Sequence, residues 1–449
     1  MNIQFFGAIN GVTGSQHLLT INNKKILIDC GLFQGDHQDD LKNWDDFAYN
    51  PSEIDALILT HSHLDHIGLV PKLCKSGFSG PIYATAATRD FAEIFFEDSQ
   101  HLLEGLTTRI NKPVLYELED IPNCMKQFKP IEYHKKTKIT DDISFTFYDA
   151  GHILGSAFVE IKAENKTIVF SGDLGNPPVP IIKDTEFITN ADYVVMESTY
   201  GNRTHTNTSE RIRDLEKAIE DAFTRNGVLL IPAFAMERTQ ELLYEINELI
   251  TQNQVPKIPV FMDSPLALKA TNIYPKYKDY IDEEALIKLE KGKNLFDFPQ
   301  LKMIESITES KAIDADDNRK IIIAGSGMST GGRIIFHEKR FLSNPNTTLL
   351  IIGYQVQGTL GRALQDGIKH IRIHGEPIEV RANIINLNSY SAHADQPKLL
   401  YWLAQMKANV KKVFLVHGED SAKQALQTKI NDELGLSTHI PINNKEIKL

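Results

Sequence analysis

The chain has 449 residues, with 48 Lys plus Arg against 59 Asp plus Glu, a net charge of −11. That balance excludes a protein that coats nucleic acid through bulk positive charge, so any such contact is local. A hydrophobic share of 42% and a charged share of 24% suit a folded core and exclude long disorder. No apolar run reaches the ~18 residues of a membrane span, so no membrane partner is expected. The N-terminus shows neither a basic n-region nor a long apolar h-region. Cys30, Cys74 and Cys124 lie far apart in sequence with no Cys-x-x-Cys, which argues against a disulfide framework or a thiolate zinc cage. The predicted compartment is the cytoplasm.

In chain order, 2–8, 17–21 and 25–29 read as strands, the last two joined by Asn22-Asn23, a good hairpin pair. A short buried-type strand follows at 56–60, and a long helix at 88–106. Strands at 144–148, 157–161, 167–170 and 193–196 form a second group. A helix over 209–224 carries apolar Ile212, Leu215, Ile219 and Phe223 at three-to-four spacing. From about 205 the pattern alternates strictly. Strands at 228–232, 260–263, 321–324 and 349–353 interleave with helices at 239–250, 267–280 and 332–342, which predicts a mostly parallel sheet. The end reads as helix 396–406, strand 412–416 and helix 421–434. No internal repeat, low-complexity tract or Pro/Gly/Ser linker interrupts the pattern.

The strongest local signal is Thr60-His61-Ser62-His63-Leu64-Asp65-His66, which directly follows a strand. A spacing of two does not stack side chains on a helix face. A loop at a strand end can instead splay them around an ion. Imidazole and carboxylate without thiolate suit a hydrolytic metal site better than a structural one. Further candidates recur at strand ends: Gly151-His152, Gly172-Asp173, Ala392-His393 and His417-Gly418. Such ends are where α/β folds place their sites.

With Asp29, His152, Asp173 and His417 added, the His-x-His-x-Asp-His run resembles the metallo-β-lactamase fold. Glu197-Ser198-Thr199-Tyr200-Gly201 and the motifs around His393 and His417 resemble the three extra motifs of the β-CASP branch. The likeness extends to Pro232-Ala233-Phe234-Ala235 with Arg238, Gly325-Ser326-Gly327-Met328, and Gly353-Tyr354-Gln355 with Gly358-Thr359-Leu360-Gly361. It therefore covers essentially the whole chain. The RNA-cleaving members are the most similar, namely the nuclease of messenger-RNA 3′-end processing and its compact bacterial homologues.

The resemblance implies an α/β (α+β) architecture. An αββα sandwich over 1–205, completed by 386–449, would hold an inserted α/β β-CASP domain over 206–385, with the active site in the cleft between them. It assigns His61, His63 and His152 to one zinc and Asp65, His66 and His417 to a second, with Asp173 bridging. Seven candidates exceed the four donors of one tetrahedral site. The N/O donor set accepts Mn2+ as well as Zn2+. Asp29 would orient a ligand histidine. His393 would be the general acid, held by Glu197, with Asp65 counted in the catalytic set. The 325–331 turn, through Ser326, Gly327 and Met328, would hold a substrate phosphate with Arg238, Arg333 and Arg362 as helpers.

The implied activity is hydrolysis of single-stranded RNA to 5′-phosphate and 3′-hydroxyl ends, endonucleolytic first, with 5′-3′ exonucleolytic action as a second mode. A homodimer is an expected assembly. The alternatives are a DNA 5′-exonuclease of the same branch, a hydrolase of a small ester or thioester, and an inactive scaffold. The DNA enzymes typically carry valine where His417 stands. The Glu197–His393 pair and the long insertion fit a small ester poorly, and the complete ligand set argues against an inactive scaffold.

Overall fold

A computed structural model describes residues 1–35, 37–205 and 208–449. The chain divides into two compact units. The first comprises Met1–Pro177, Lys183–Thr204 and His393–Leu449; the second comprises Pro178–Ile182 and His205–Ala392.

The first unit contains two seven-stranded sheets. In one, Asn2–Phe5, His17–Ile21 and Lys24–Ile28 run antiparallel, and Ala56–Ile58, Ile82–Ala84 and Phe128–Pro130 continue it in parallel. Asn22 and Asn23 both take positive φ, 47° and 65°, the turn geometry that matches strand twist in a two-residue hairpin. In the other sheet, Ser144–Asp149, Ala157–Ala163 and Lys166–Phe170 form an antiparallel meander. Tyr193–Met196 and Lys412–Leu415 then add in parallel.

The two sheets share one core. Phe5, Leu19, Ile26, Ile28 and Ile58 of the first join Phe145, Phe147, Val159, Ile168, Phe170 and Phe414 of the second. The opposite face of the second sheet is covered by the helix Gln396–Ala404, whose Leu399, Trp402 and Leu403 are buried. This is the expected layered sandwich. Its strands at 24–28, 56–58, 144–149, 166–170, 193–196 and 412–415 each end just before a candidate site residue.

The second unit is built on a six-stranded parallel sheet with Val228–Pro232 and Lys320–Ala324 at its centre, both buried at every position. Burial on both faces accounts for their continuous apolar runs. The sheet is wider than the sequence rhythm predicts. Leu301–Met303 and Asn383–Asn386 add at its two edges, and a separate hairpin pairs His370–Ile373 with Glu376–Glu379. Strands this short, with exposed or half-buried faces, leave too little apolar alternation to read.

Helix ends also differ. The predicted helix over 267–280 stops at Thr271, and Pro275 enforces short turns beyond it. The predicted 88–106 helix extends over Ala86–Ile110, capped by Thr85, which accepts the Thr88 N–H at 3.1 Å. Cys74 and Cys124, fifty residues apart, meet with their sulfurs at 3.2 Å as free thiols.

Glu338 lies fully buried in the second unit and accepts a hydrogen bond from Ser329 Oγ. Burial lifts its carboxyl from an ordinary 4.5 to about 8. The folded state therefore keeps a proton that the unfolded chain releases, and stability falls as pH rises through that window. Glu338→Gln should flatten the fall. The difference in Tm between about pH 5 and about pH 8.5 should shrink relative to the parent chain.

Candidate metal centre

Every predicted metal ligand lies in the first unit, at the C-terminal ends of strands from both sheets. His61 and His63 follow Ala56–Ile58, and Asp65 and His66 sit in the short helix Leu64–Ile67. His152 follows Ser144–Asp149, Asp173 follows Lys166–Phe170, and His417 follows Lys412–Leu415. Backbone proximity brings the loops together. Gly31 lies so close to Asp65 that a Cβ there would stand 1.6 Å from the Asp65 carbonyl oxygen.

The donor atoms of His61, His63, His152 and Asp173 lie within 4.8 Å of one another, as do those of Asp65, His66 and His417. His63 Nδ1 is 3.2 Å from His61 Nε2 and 3.1 Å from His152 Nε2. Asp173 Oδ2 is 3.4 Å from His61 Nε2 and 3.6 Å from His152 Nε2. Its other oxygen, Oδ1, faces His66 Nε2 at 3.4 Å and His417 Nδ1 at 3.6 Å. Asp65 Oδ2 is 3.4 Å from His417 Nε2.

The spacings near 3.4 Å, among them that of Asp65 Oδ2 to His417 Nε2, fit a divalent ion. Two donors bound tetrahedrally at ~2.0–2.1 Å stand about 3.3–3.4 Å apart. His66 Nε2 and Asp173 Oδ1 are buried with no hydrogen-bond partner. Orphaned donors of this kind are costly unless a ligand satisfies them.

The electrostatics agree. Burial drives His61 well below its ordinary pKa and His63 down to about 4, which leaves neutral imidazoles with lone pairs. Asp173 resists its own burial: His417, His66, His393 and His61 hold it well below the usual carboxylate range. At His66 burial is outweighed by Asp173 and Asp29, which raise it well above 6.5.

Asp29 stands behind the cluster. Its Oδ2 lies 2.7 Å from His66 Nδ1, and its Oδ1 accepts the Thr60 N–H at 2.8 Å. Glu197 follows Tyr193–Met196 and is fully buried. Its Oε1 accepts the Leu174 N–H at 2.6 Å, and its Oε2 lies 3.1 Å from His393 Nδ1. His393 Nδ1 is also 3.8 Å from Asp173 Oδ2. Burial opposes protonation of His393, but Glu197 and Asp173 prevail and raise it to about 9.

The expected phosphate-holding residues are in the second unit. Ser326 Oγ accepts the Thr330 N–H, Gln355 Nε2 donates to the Gly327 carbonyl, and the Gly361 N–H donates to that of Met328. Each helper arginine already carries a carboxylate: Arg238 holds Glu241, Arg333 holds Asp263, and Arg362 holds Asp366. The structure thus surrounds the turn with internal bonds. Sequence reasoning also passed over the hydroxyls of Thr60 and Thr199, which touch His61 and His417. Their positions beside His61 and Glu197 were the available signal.

Three family models match the chain: a metallo-beta-lactamase superfamily domain over residues 18–191, a Beta-Casp domain over 239–364, and a Zn-dependent metallo-hydrolase RNA specificity domain over 377–441. The chain is 38% identical to Ribonuclease TTHA0252 of Thermus thermophilus, over 95% of each protein. It is 31% identical to Transcription termination factor FttA of Methanosarcina mazei, over all of this chain and 72% of that one. A crystal structure of a protein of unknown function from Enterococcus faecalis shares the fold, with a TM-score of 0.55 at 12% identity, over 100% of this chain and 99% of that one.

Asp173 faces both donor groups, so its loss should be the most damaging single change. Asp173→Ala should purify without stoichiometric transition metal by elemental analysis. A divalent ion at 100-fold excess over its Kd should stabilise the parent by ~2.7 kcal/mol per site, raising its Tm. The variant should show no such rise.

Proposed function

The chain belongs to the metallo-β-lactamase superfamily, in its β-CASP ribonuclease branch, and from that membership we propose that it is a metal-dependent hydrolase of single-stranded RNA. The observation that carries the reading is the His393–Glu197 pair set beside Asp173 at the edge of the donor cluster. The RNA-specificity match spans both His393 and His417.

Two divalent ions suit the charge. Asp29, Asp65 and Asp173 bring three negative charges to one place beside the Glu197–His393 pair, and divalent ions would offset them. Zinc is the first choice, and the same imidazole and carboxylate donors accept manganese. Bound there, such ions lower the pKa of water toward neutrality and offset charge on phosphoryl oxygens.

The chain's own residues do the rest. His61, His63, His152 and Asp173 would hold one ion, and Asp65, His66 and His417 would hold the other, with Asp173 facing both groups. Glu197 accepts the His393 Nδ1 proton and orients the ring. His393 then presents Nε2–H to the 3′-oxygen that leaves. Attack by water with departure of that oxygen yields 5′-phosphate and 3′-hydroxyl ends. Contacts of the 325–331 turn with substrate phosphate would run through main-chain amides, since Arg238 and Arg362 are already charge-paired. Among the described residues, no helix is long and apolar enough to cross a membrane. Three free cysteines suit a reducing compartment such as the cytoplasm.

End-labelled single-stranded RNA and DNA, incubated with the purified protein, test the reading. RNA should be cut in preference, and a chelator should stop the reaction. Mass spectrometry should find 5′-phosphate ends; 2′,3′-cyclic phosphate would refute attack by water. His393→Ala should slow cleavage by about 10²–10⁴-fold. That deficit should shrink on RNA with sulfur at the scissile 3′-bridging position, because a thiolate leaves without a proton.

A further inference from the structure

We infer that the hydroxyls of Thr60 and Thr199 set the ring tautomers of His61 and His417, making both threonines positioning residues of the metal centre. The inference rests on the metal reading above and extends it beyond the ligands.

At Thr60, Oγ1 donates to Asp29 Oδ2 at 2.8 Å and lies 3.1 Å from His61 Nδ1. A carboxylate only accepts, so the single hydroxyl proton belongs to Asp29. The oxygen's remaining lone pairs then face His61 Nδ1, which must carry the proton. His61 Nε2 is left as a lone pair, and this is the nitrogen 3.4 Å from Asp173 Oδ2 and 3.2 Å from His63 Nδ1. The rotor is confined. Thr60 is 1% exposed and packs against Gly172, where a Cβ would lie 2.7 Å from the Thr60 Cβ.

Asp29 Oδ2 also meets His66 Nδ1 at 2.7 Å. One carboxylate therefore orients His66 directly and His61 through Thr60. The two histidines fall in different donor groups.

Thr199 repeats the device from the second sheet. Its Oγ1 donates to the His417 carbonyl at 3.2 Å and lies 3.0 Å from His417 Nδ1. With the hydroxyl proton given to that carbonyl, His417 Nδ1 holds its own proton and points Nε2 toward Asp65. Ser198 secures the same segment: its N–H donates to the His417 carbonyl and its Oγ to that of Val416. The grip suits a non-glycine residue held at φ +49°.

The test uses the full chain and its Thr60→Val, Thr60→Ser, Thr199→Val and Thr199→Ser variants, titrated with zinc against a chromophoric chelator. Each valine variant should weaken one of two binding steps by about 10- to 100-fold, and each serine should restore it. With cadmium-113, Thr60→Val should displace one resonance more than the other, and Thr199→Val should do the opposite. Valine variants that bind both ions like the parent would overturn the inference. So would serine variants as impaired as valine, since the methyl rather than the hydroxyl would then matter. Long-range proton–nitrogen correlation on the parent decides the case even if a variant fails to fold. Protons on His61 and His417 Nδ1 are expected, and protons on Nε2 would refute the assignment. A parent that binds no zinc, yet shows Nδ1 protons, would sink the metal reading and leave the tautomers standing.

Discussion

Buried negative charge is the constraint around which the first unit is arranged. Asp173 is almost inaccessible, yet four histidines hold it ionised, and its two oxygens face different donor groups. Burying an unpaired carboxylate is prohibitive, so such a position persists only when positive charge is supplied. The family's chemistry answers that need with divalent ions. Asp173 and Asp29 likewise raise the His66 imidazole above its ordinary range, against its burial.

The sandwich is the means by which this charge is held in place. Two sheets share one apolar core, and their strand ends present the candidate metal donors from both sides. Backbone contacts leave little slack: Gly31 lies against the Asp65 carbonyl, Gly172 against Thr60, and the His417 N–H donates to the Ala8 carbonyl. Outside the candidate donors runs a layer of acceptors. Asp29, Glu197 and the two threonine hydroxyls each meet a ring nitrogen, which is how a protein decides whether an imidazole offers a proton or a lone pair. Glu197 and Asp173 raise His393, as Asp173 and Asp29 raise His66, whereas burial keeps His61 and His63 neutral.

Much of this was legible in the chain because the chemistry-bearing residues are concentrated and strand ends are marked by apolar runs. His61, His63, Asp65 and His66 announce themselves within six positions, and Asp29, Glu197 and His417 close recognisable strands. The parallel sheet of the second unit was legible at its centre, where strands are uniformly apolar. It was illegible at its edges, where Leu301–Met303 and Asn383–Asn386 are short and half exposed. The ion pairs of Arg238 and Arg362 were illegible for a related reason. An arginine near a glycine-rich turn looks available in sequence, whereas folding had already paired each with a carboxylate one helical turn away.

By itself, then, the sequence determined the donor types, their attachment to strand ends and the layered architecture, since these follow from local composition and hydrophobic period. Only the tertiary structure decided which ring nitrogen faces inward, that Asp65 meets His417 across 352 residues, and that a threonine hydroxyl stands between Asp29 and His61. Hydrogen-bond direction and long-range approach depend on how two sheets pack against one another, and no local pattern encodes that packing.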